Sequence, residues 1–291
     1  MIYNVSHTTT YCYTEPVSLC HNLVHLRPRV APRQACHFSS LELQPEPRTA
    51  VQYTDYFGNP VTFFTIQEPH RELAIAAKHR IEVTPAAAPN LQESLPWEIV
   101  RDMLQADRSE TMLDAFQFTL DSANIGRNND LAVYAEPSFA LGRPLLEAVR
   151  ELTERIHDDF QYDSQATSVA TPILEVLNQR RGVCQDFAHL QIGCLRSLGL
   201  AARYVSGYVQ SRGSSEKEGL IGADASHAWV SVFCFKNGWT DFDPTNNSLP
   251  SDQHLTIAWG RDYDDICPVK GVVLGGGTNT LSVAVNVRAE D

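Results

Sequence analysis

Alternation of apolar and polar positions governs the first part of the chain. Tyr3, Val5, His7, Thr9, Tyr11 and Tyr13 share one face of an extended segment. Strand-like segments follow at Asn22–Leu26, Ser39–Leu43, Val61–Ile66 and Leu73–Val83, separated by turns such as Arg27-Pro28-Arg29 and Phe57-Gly58-Asn59-Pro60. Strands at this spacing, with no long helix between them, predict an antiparallel β domain over residues 1–85. Pro85-Ala86-Ala87-Ala88-Pro89 then reads as a linker.

The period changes after the linker. Pro96 to Leu104, behind Ser94, predicts a short helix. Pro144 to Phe160 predicts a longer one, with Leu145, Val149, Leu152, Ile156 and Phe160 on one face. Thr171-Pro172 opens another helix, running to about Gln179 and ended by Gly182. Next comes Arg181-Gly182-Val183-Cys184-Gln185-Asp186-Phe187-Ala188, from which Phe187, Leu190, Cys194, Leu195 and Leu198 continue at helical spacing to Gly199. Beyond Ala201 alternation returns at Arg203–Val209, Ala228–Phe235, Trp239–Phe242 and Thr280–Val287. Leu255 to Trp259 reads as helical or irregular, and Ser211 to Gly222 as a polar, mobile surface loop. The expected fold class is α+β: an N-terminal antiparallel β domain (1–85), a linker and helical connection (86–141), and a core of helices packed on an antiparallel sheet (142–291).

Charge narrows the partners. Lys and Arg number 23 against 35 Asp and Glu, giving −12 overall, which disfavours a nucleic-acid surface or an anionic membrane. The N-terminus lacks the basic start and apolar core of a secretory signal. Seven cysteines without paired spacing suit a reducing compartment, so a cytoplasmic location is expected.

Cys184 stands out because of its position. Gly182 breaks the preceding helix, so the thiol falls in or just before the first turn of the next one. There the unpaired N–H groups and the positive end of the helix dipole stabilise negative charge on sulfur. Downstream, Ser226-His227-Ala228-Trp229-Val230 enters a strand, and Trp239-Thr240-Asp241-Phe242-Asp243-Pro244-Thr245 follows the turn signal Asn237-Gly238. Cysteine, then histidine, then carboxylate is the order of parts in cysteine acyl-transfer enzymes. One constraint opposes the pairing. A two-residue Asn-Gly turn sets Asp243 opposite Val232, five residues along the strand from His227 (232 − 227). A bulge, a wider loop or strong twist must close that gap.

Arg-Gly-Val-Cys-Gln-Asp-Phe-Ala, Ser-His-Ala-Trp-Val and Trp-x-x-Phe-Asp-Pro-Thr together resemble the bacterial transglutaminase-like family of papain-type cysteine enzymes. Asp55-Tyr56-Phe57-Gly58-Asn59-Pro60, Gly260-Arg261-Asp262-Tyr263-Asp264-Asp265 and Gly271-Val272 extend the resemblance over most of the chain. It implies Cys184 as nucleophile, His227 as general base and then acid, and Asp243 as third member. It also implies a peptide or protein amide as substrate. A cysteine peptidase or amidase is the leading expectation, a protein-glutamine γ-glutamyltransferase the second, and a non-catalytic binding scaffold the rival from another class. No cofactor and no metal activator are expected.

Other signals have plainer readings. Asp241 shares the strand face of Asp243 and competes with it, but the resemblance selects the aspartate before Pro-Thr. His189 reads as structural. Cys20-His21, His25 and Cys36-His37 lack the paired spacing of a zinc site. Gly275-Gly276-Gly277, with no Lys-Ser behind it, reads as a flexible turn and not a phosphate loop. Trp229 and Trp239 line a substrate groove or belong to the core. The Cys184 N–H suits one oxyanion donor, and Gln185 and Tyr162 are candidates for a second.

Overall fold

β1 (Ile2–Val24) is long enough to organise a whole sheet. In the computed structural model, which describes residues 1–85, 87–210, 221 and 226–290, β1 is joined by β2 (Gln34–Gln44), β3 (Thr49–Thr54), β4 (Pro60–Ile66) and β5 (His70–Val83). The order is β2-β5-β1-β4-β3, all antiparallel. Alternation is the cause: Tyr3, Val5, His7 and Thr9 are buried along one face, as the spacing requires.

The second layer holds the helices: α1 (Trp97–Ala106), α2 (Glu110–Phe116), α3 (Asn129–Ala135), α4 (Leu145–Asp159), α5 (Ile173–Gln179) and α6 (Cys184–Ser197). Two short parallel strands, β6 (Gln161–Tyr162) and β7 (Arg181–Gly182), stand before α6. α6 packs against a four-stranded sheet ordered β10-β9-β8-β11, made of β8 (Ala202–Val209), β9 (His227–Cys234), β10 (Gly238–Phe242) and β11 (His254–Gly260). Buried on nearly every side, α6 is the central helix. Even Arg196 is fully enclosed, its guanidinium donating to the carbonyls of Phe118, Ala202 and Arg261. Its charge is thereby spread over fixed dipoles.

Three features depart from the sequence expectations. Leu255–Trp259 lies in strand β11. Leu255 and Ile257 pack with Tyr3, Val5 and Tyr208, while Ala258 faces the helical core. A strand covered on both faces loses its polar alternation, which hid it. α5 ends at Arg180, which takes a left-handed conformation (φ 55°), two residues before Gly182. The final strands β12 (Val269–Gly275) and β13 (Asn279–Ala289), expected within the 142–291 core, pair instead with β1. Gly275, Gly276 and Gly277 (φ +92°, +86° and +63°) are a kink between these two strands, matching an irregularity at residues 13–16 of β1. A Cβ on Gly275 would meet the Pro16 carbonyl oxygen at 2.7 Å. Of the polar loop Ser211 to Gly222 only Ile221 lies within the described residues, and Ala86 of the linker lies outside them. No described helix is long and apolar enough to cross a membrane.

The Asp55–Pro60 turn is the clip between the two layers. Asp55 Oδ1 accepts from the N–H groups of Phe57 and Asn59 at 2.9 and 2.7 Å. The fully buried Asn59 side chain then grips β11, donating to Trp259 O at 2.9 Å and accepting from Trp259 N at 3.0 Å. Asn59→Ala leaves those backbone groups unpaired at about 1–3 kcal/mol each. The urea midpoint should therefore fall clearly with an unchanged slope; an unaltered midpoint would show that the clip is not needed for stability.

Candidate active site

Local sterics place Cys184. The parallel pairing of Tyr162 with Gly182 anchors the turn before α6. Asp186 folds back over that turn, accepting from Val183 N at 2.8 Å and from Thr167 Oγ1 at 2.6 Å. Its carboxylate occupies the space of a side chain at 182, where a Cβ would lie 2.6 Å from Asp186 Oδ2. Gly182 is thus required by the cap that starts α6. Cys184, the first residue of the helix, is half-buried.

The gap between His227 and Asp243 is closed by the hairpin. Cys234 pairs with Gly238, and residues 235–237 form a loop wider than two residues. Gly238 takes the left-handed conformation at φ +65°, and Asn237 N donates to Cys234 O at 2.9 Å. The register runs to Phe242 opposite Val230, so its continuation brings Asp243 level with Trp229, two residues from His227 (229 − 227). Asp243 there turns out of the strand and bridges to Ser248. His227 Nε2 donates to Asp243 Oδ2 at 2.8 Å, and both side chains are fully buried.

Asp243 is a hub. Oδ2 also accepts from Asn246 Nδ2 at 2.8 Å and His254 Nε2 at 3.1 Å. Oδ1 accepts from the N–H groups of Thr245 and Asn246 at 2.9 and 3.2 Å. Burial pushes the carboxyl towards protonation, but the charge and hydrogen bonds of His227, then those of His254, hold it far below the usual carboxylate range. For His227, burial opposes the charged ring. The Asp243 carboxylate outweighs it by charge and hydrogen bond, the nearby Cys184 adds to it, and the imidazole is raised to about 10. Since Nε2 is committed to Asp243, the nitrogen left for the thiol is Nδ1, which makes no well-formed hydrogen bond among the described residues.

Trp229 fixes the ring's plane, stacking on His227 with centroids 6.2 Å apart and 30° between planes. Gly207, paired with His227, makes room: a Cβ there would lie 2.5 Å from the indole. His254 meets the same indole edge-on at 5.3 Å. His254 and Asn246 were missed in the sequence. Asn246 follows Asp-Pro-Thr directly, a usable turn signal. His254 carries no local signal, since only the pairing of β11 with β8 brings it there.

The other candidates fall elsewhere. Asp241 accepts from Trp229 Nε1 at 3.2 Å and does not reach His227. His189 accepts from Tyr263 N at 3.1 Å, and burial lowers its proton affinity to about 4, so it is a neutral support for that turn. Gln185 Nε2 reaches Val169 O at 3.4 Å. For Tyr162, burial, then the charges of Cys184 and Asp186, raise the phenol above the ordinary value. His21 bonds Thr65, His25 bonds Cys267 O, and His37 bonds Glu82. Among the described residues, the cluster of three metal-capable side chains is His227, Asp243 and His254 itself.

A model of the bacterial transglutaminase-like N-terminal region matches residues 3–82, and one of the transglutaminase-like superfamily matches residues 134–244, a span containing Cys184, His227 and Asp243. An uncharacterized protein of Mycobacterium tuberculosis is 38% identical, covering 98% of this chain and 92% of that protein. One of Mycobacterium leprae is 32% identical, covering 97% of each. The solved structure of a candidate cysteine protease from Cytophaga hutchinsonii superposes with a TM-score of 0.79 at 21% identity, covering 100% of this chain and 91% of that one. At that identity the likeness concerns the fold.

The buried pair predicts a pH signature in stability. His227, raised from 6.5 to about 10, contributes stability that is complete below 6.5 and lost as pH rises through 10. Asp243 contributes above its ordinary value of 3.8, and that contribution is lost in acid. The stability gap between wild type and Asp243→Asn, measured by urea unfolding, should be widest between those limits and shrink towards pH 10. A gap constant with pH would show that the pair is not charged in the folded state.

Proposed function

The chain belongs to the transglutaminase-like superfamily, and on that footing we propose that it is a cysteine-dependent acyl-transfer enzyme acting on peptide or protein amides, with hydrolysis as its principal outcome. The observation that carries this reading is the enclosed His227 ring, held by Asp243 on one nitrogen, with Cys184 near enough to act on it. A buried imidazolium beside a thiolate supplies a nucleophile and a proton in one place.

In this reading the Cys184 sulfur attacks the amide carbonyl carbon, and the oxygen becomes an oxyanion at the start of α6. The first N–H groups of a helix lack intrahelical partners and suit that role. As the tetrahedral intermediate collapses, the C–N bond breaks and His227 gives its Nδ1 proton to the departing amine. The acyl group remains on sulfur as a thioester. Water then attacks that carbon, His227 takes the water proton, and the C–S bond breaks to release the carboxylic acid and restore the thiolate–imidazolium pair. Asp243 keeps the ring's tautomer and orientation throughout. His254 and Asn246 are positioning residues, since they act through Asp243.

Mild iodoacetamide treatment tests the nucleophile. Cys184 should be alkylated well ahead of the other six cysteines, and heat unfolding should remove that preference. Cys184→Ser should abolish amide cleavage in a labelled-casein assay while leaving the unfolding free energy from urea titration within about 0.5 kcal/mol of wild type. Activity surviving in the serine variant, or alkylation no faster than that of free cysteine, would overturn the assignment. Adding a primary amine measures how the thioester partitions: its incorporation in place of hydrolysis would make transamidation the principal reaction.

A further inference from the structure

On the face of the core sheet away from α6 lies a cleft of about 820 Å³, roofed by residues 31–34 of the β domain and 87–89 of the linker. Its size is that of a site for a short peptide. The partly exposed Trp239 and Trp259 line it together with the buried Val205 and Trp229, with Arg203 towards one end and His254 towards the other. Six positions of β8 separate Arg203 from Val209, the partner of His254 (209 − 203). That is about 20 Å of extended chain.

Both end residues are buried and incompletely satisfied. Arg203 is 8% exposed, and among the described residues its Nε has no hydrogen-bond partner. Its guanidinium lies over Trp239 at 4.1 Å and over Trp259 at 3.6 Å. With both faces covered, the group has only its N–H edge for a ligand, and that edge matches a carboxylate in two parallel bonds. Asp241 is near enough to act on it by charge, yet its Oδ2 is committed to Trp229 Nε1. At the other end, His254 Nε2 donates to Asp243, so Nδ1, also unpartnered among the described residues, is left for a ligand's hydrogen bond. The lining holds Arg33 and Arg203 against Asp114 and Asp241. That balance suits a peptide bearing one carboxylate and not a polyanion.

We propose that this cleft is a second binding site, taking a short peptide segment whose free carboxylate pairs with Arg203 and whose backbone lies over the Trp239 and Trp259 indoles. The site is separate from Cys184, so it is tested without turnover. In Cys184→Ser protein, fluorescence anisotropy is read with fluorescein-labelled penta-alanine ending in a free carboxylate and with its C-terminal amide twin. The acid should bind at least about tenfold more tightly than the amide, as a charge-assisted pair requires. Arg203→Gln should bring the two within about twofold of each other. Ala88→Trp, an exposed change in the roof that leaves the core intact, should weaken the acid by about tenfold and serves if the arginine variant does not fold. Equal binding of the two peptides, binding of neither, a preference surviving Arg203→Gln, or undiminished binding in Ala88→Trp would overturn the proposal. None of these outcomes bears on the role proposed for Cys184.

Discussion

A carboxylate with no exposure to water is a costly thing to enclose, and Asp243 is the point on which this structure turns. Removing such an ion from water costs several kcal/mol even after relaxation. The fold offsets that cost with five donors: two imidazoles, one side-chain amide and two backbone N–H groups. Each donor constrains a different part of the chain. The turn after β10 must close on itself to bring Thr245 and Asn246 round, β9 must start at His227, and β11 must start at His254. Removing any one contact leaves a buried charge under-satisfied, so the hub specifies geometry as well as contributing energy.

The β domain braces the strands that carry this hub. β11 holds His254 at one end and Trp259 near the other, and Asn59 grips Trp259 by both backbone groups. Arg29 of the β domain covers one indole face at 3.0 Å, and Arg203 covers the same ring at 3.6 Å. The result is a ladder of guanidinium and indole from one layer into the other. It explains why a turn as distant in sequence as Asp55–Pro60 belongs with the core. The return of β12 and β13 to β1 closes the chain on its own beginning, so the β domain is completed only after the core has been threaded.

Much of this was legible in the residues. The Cys184 helix could be read because Gly182, the apolar spacing and Gly199 agree on its limits. The reason for glycine at 182 could not, since it lies in the folded-back Asp186 carboxylate. His227 and Asp243 could be named, but Asn237-Gly238 suggested a two-residue turn, while the chain uses Gly238 as a left-handed paired residue beyond a wider loop. A shift of this kind moves every cross-strand partner. β11 was hidden because both of its faces are covered. His254 was hidden for a different reason: its place depends on strand pairing, which no local pattern records. The same holds for β12 and β13, whose character as strands is local and whose sheet is not.

The central claim is that Asp243 keeps His227 charged well above the pH at which a free imidazole loses its proton. Nitrogen-15 NMR of histidine-labelled protein at about pH 8.5 measures this directly, with His227→Gln used to assign the signal. Both ring nitrogens of His227 should show imidazolium shifts at that pH. A neutral His227 ring under the same conditions would contradict the claim.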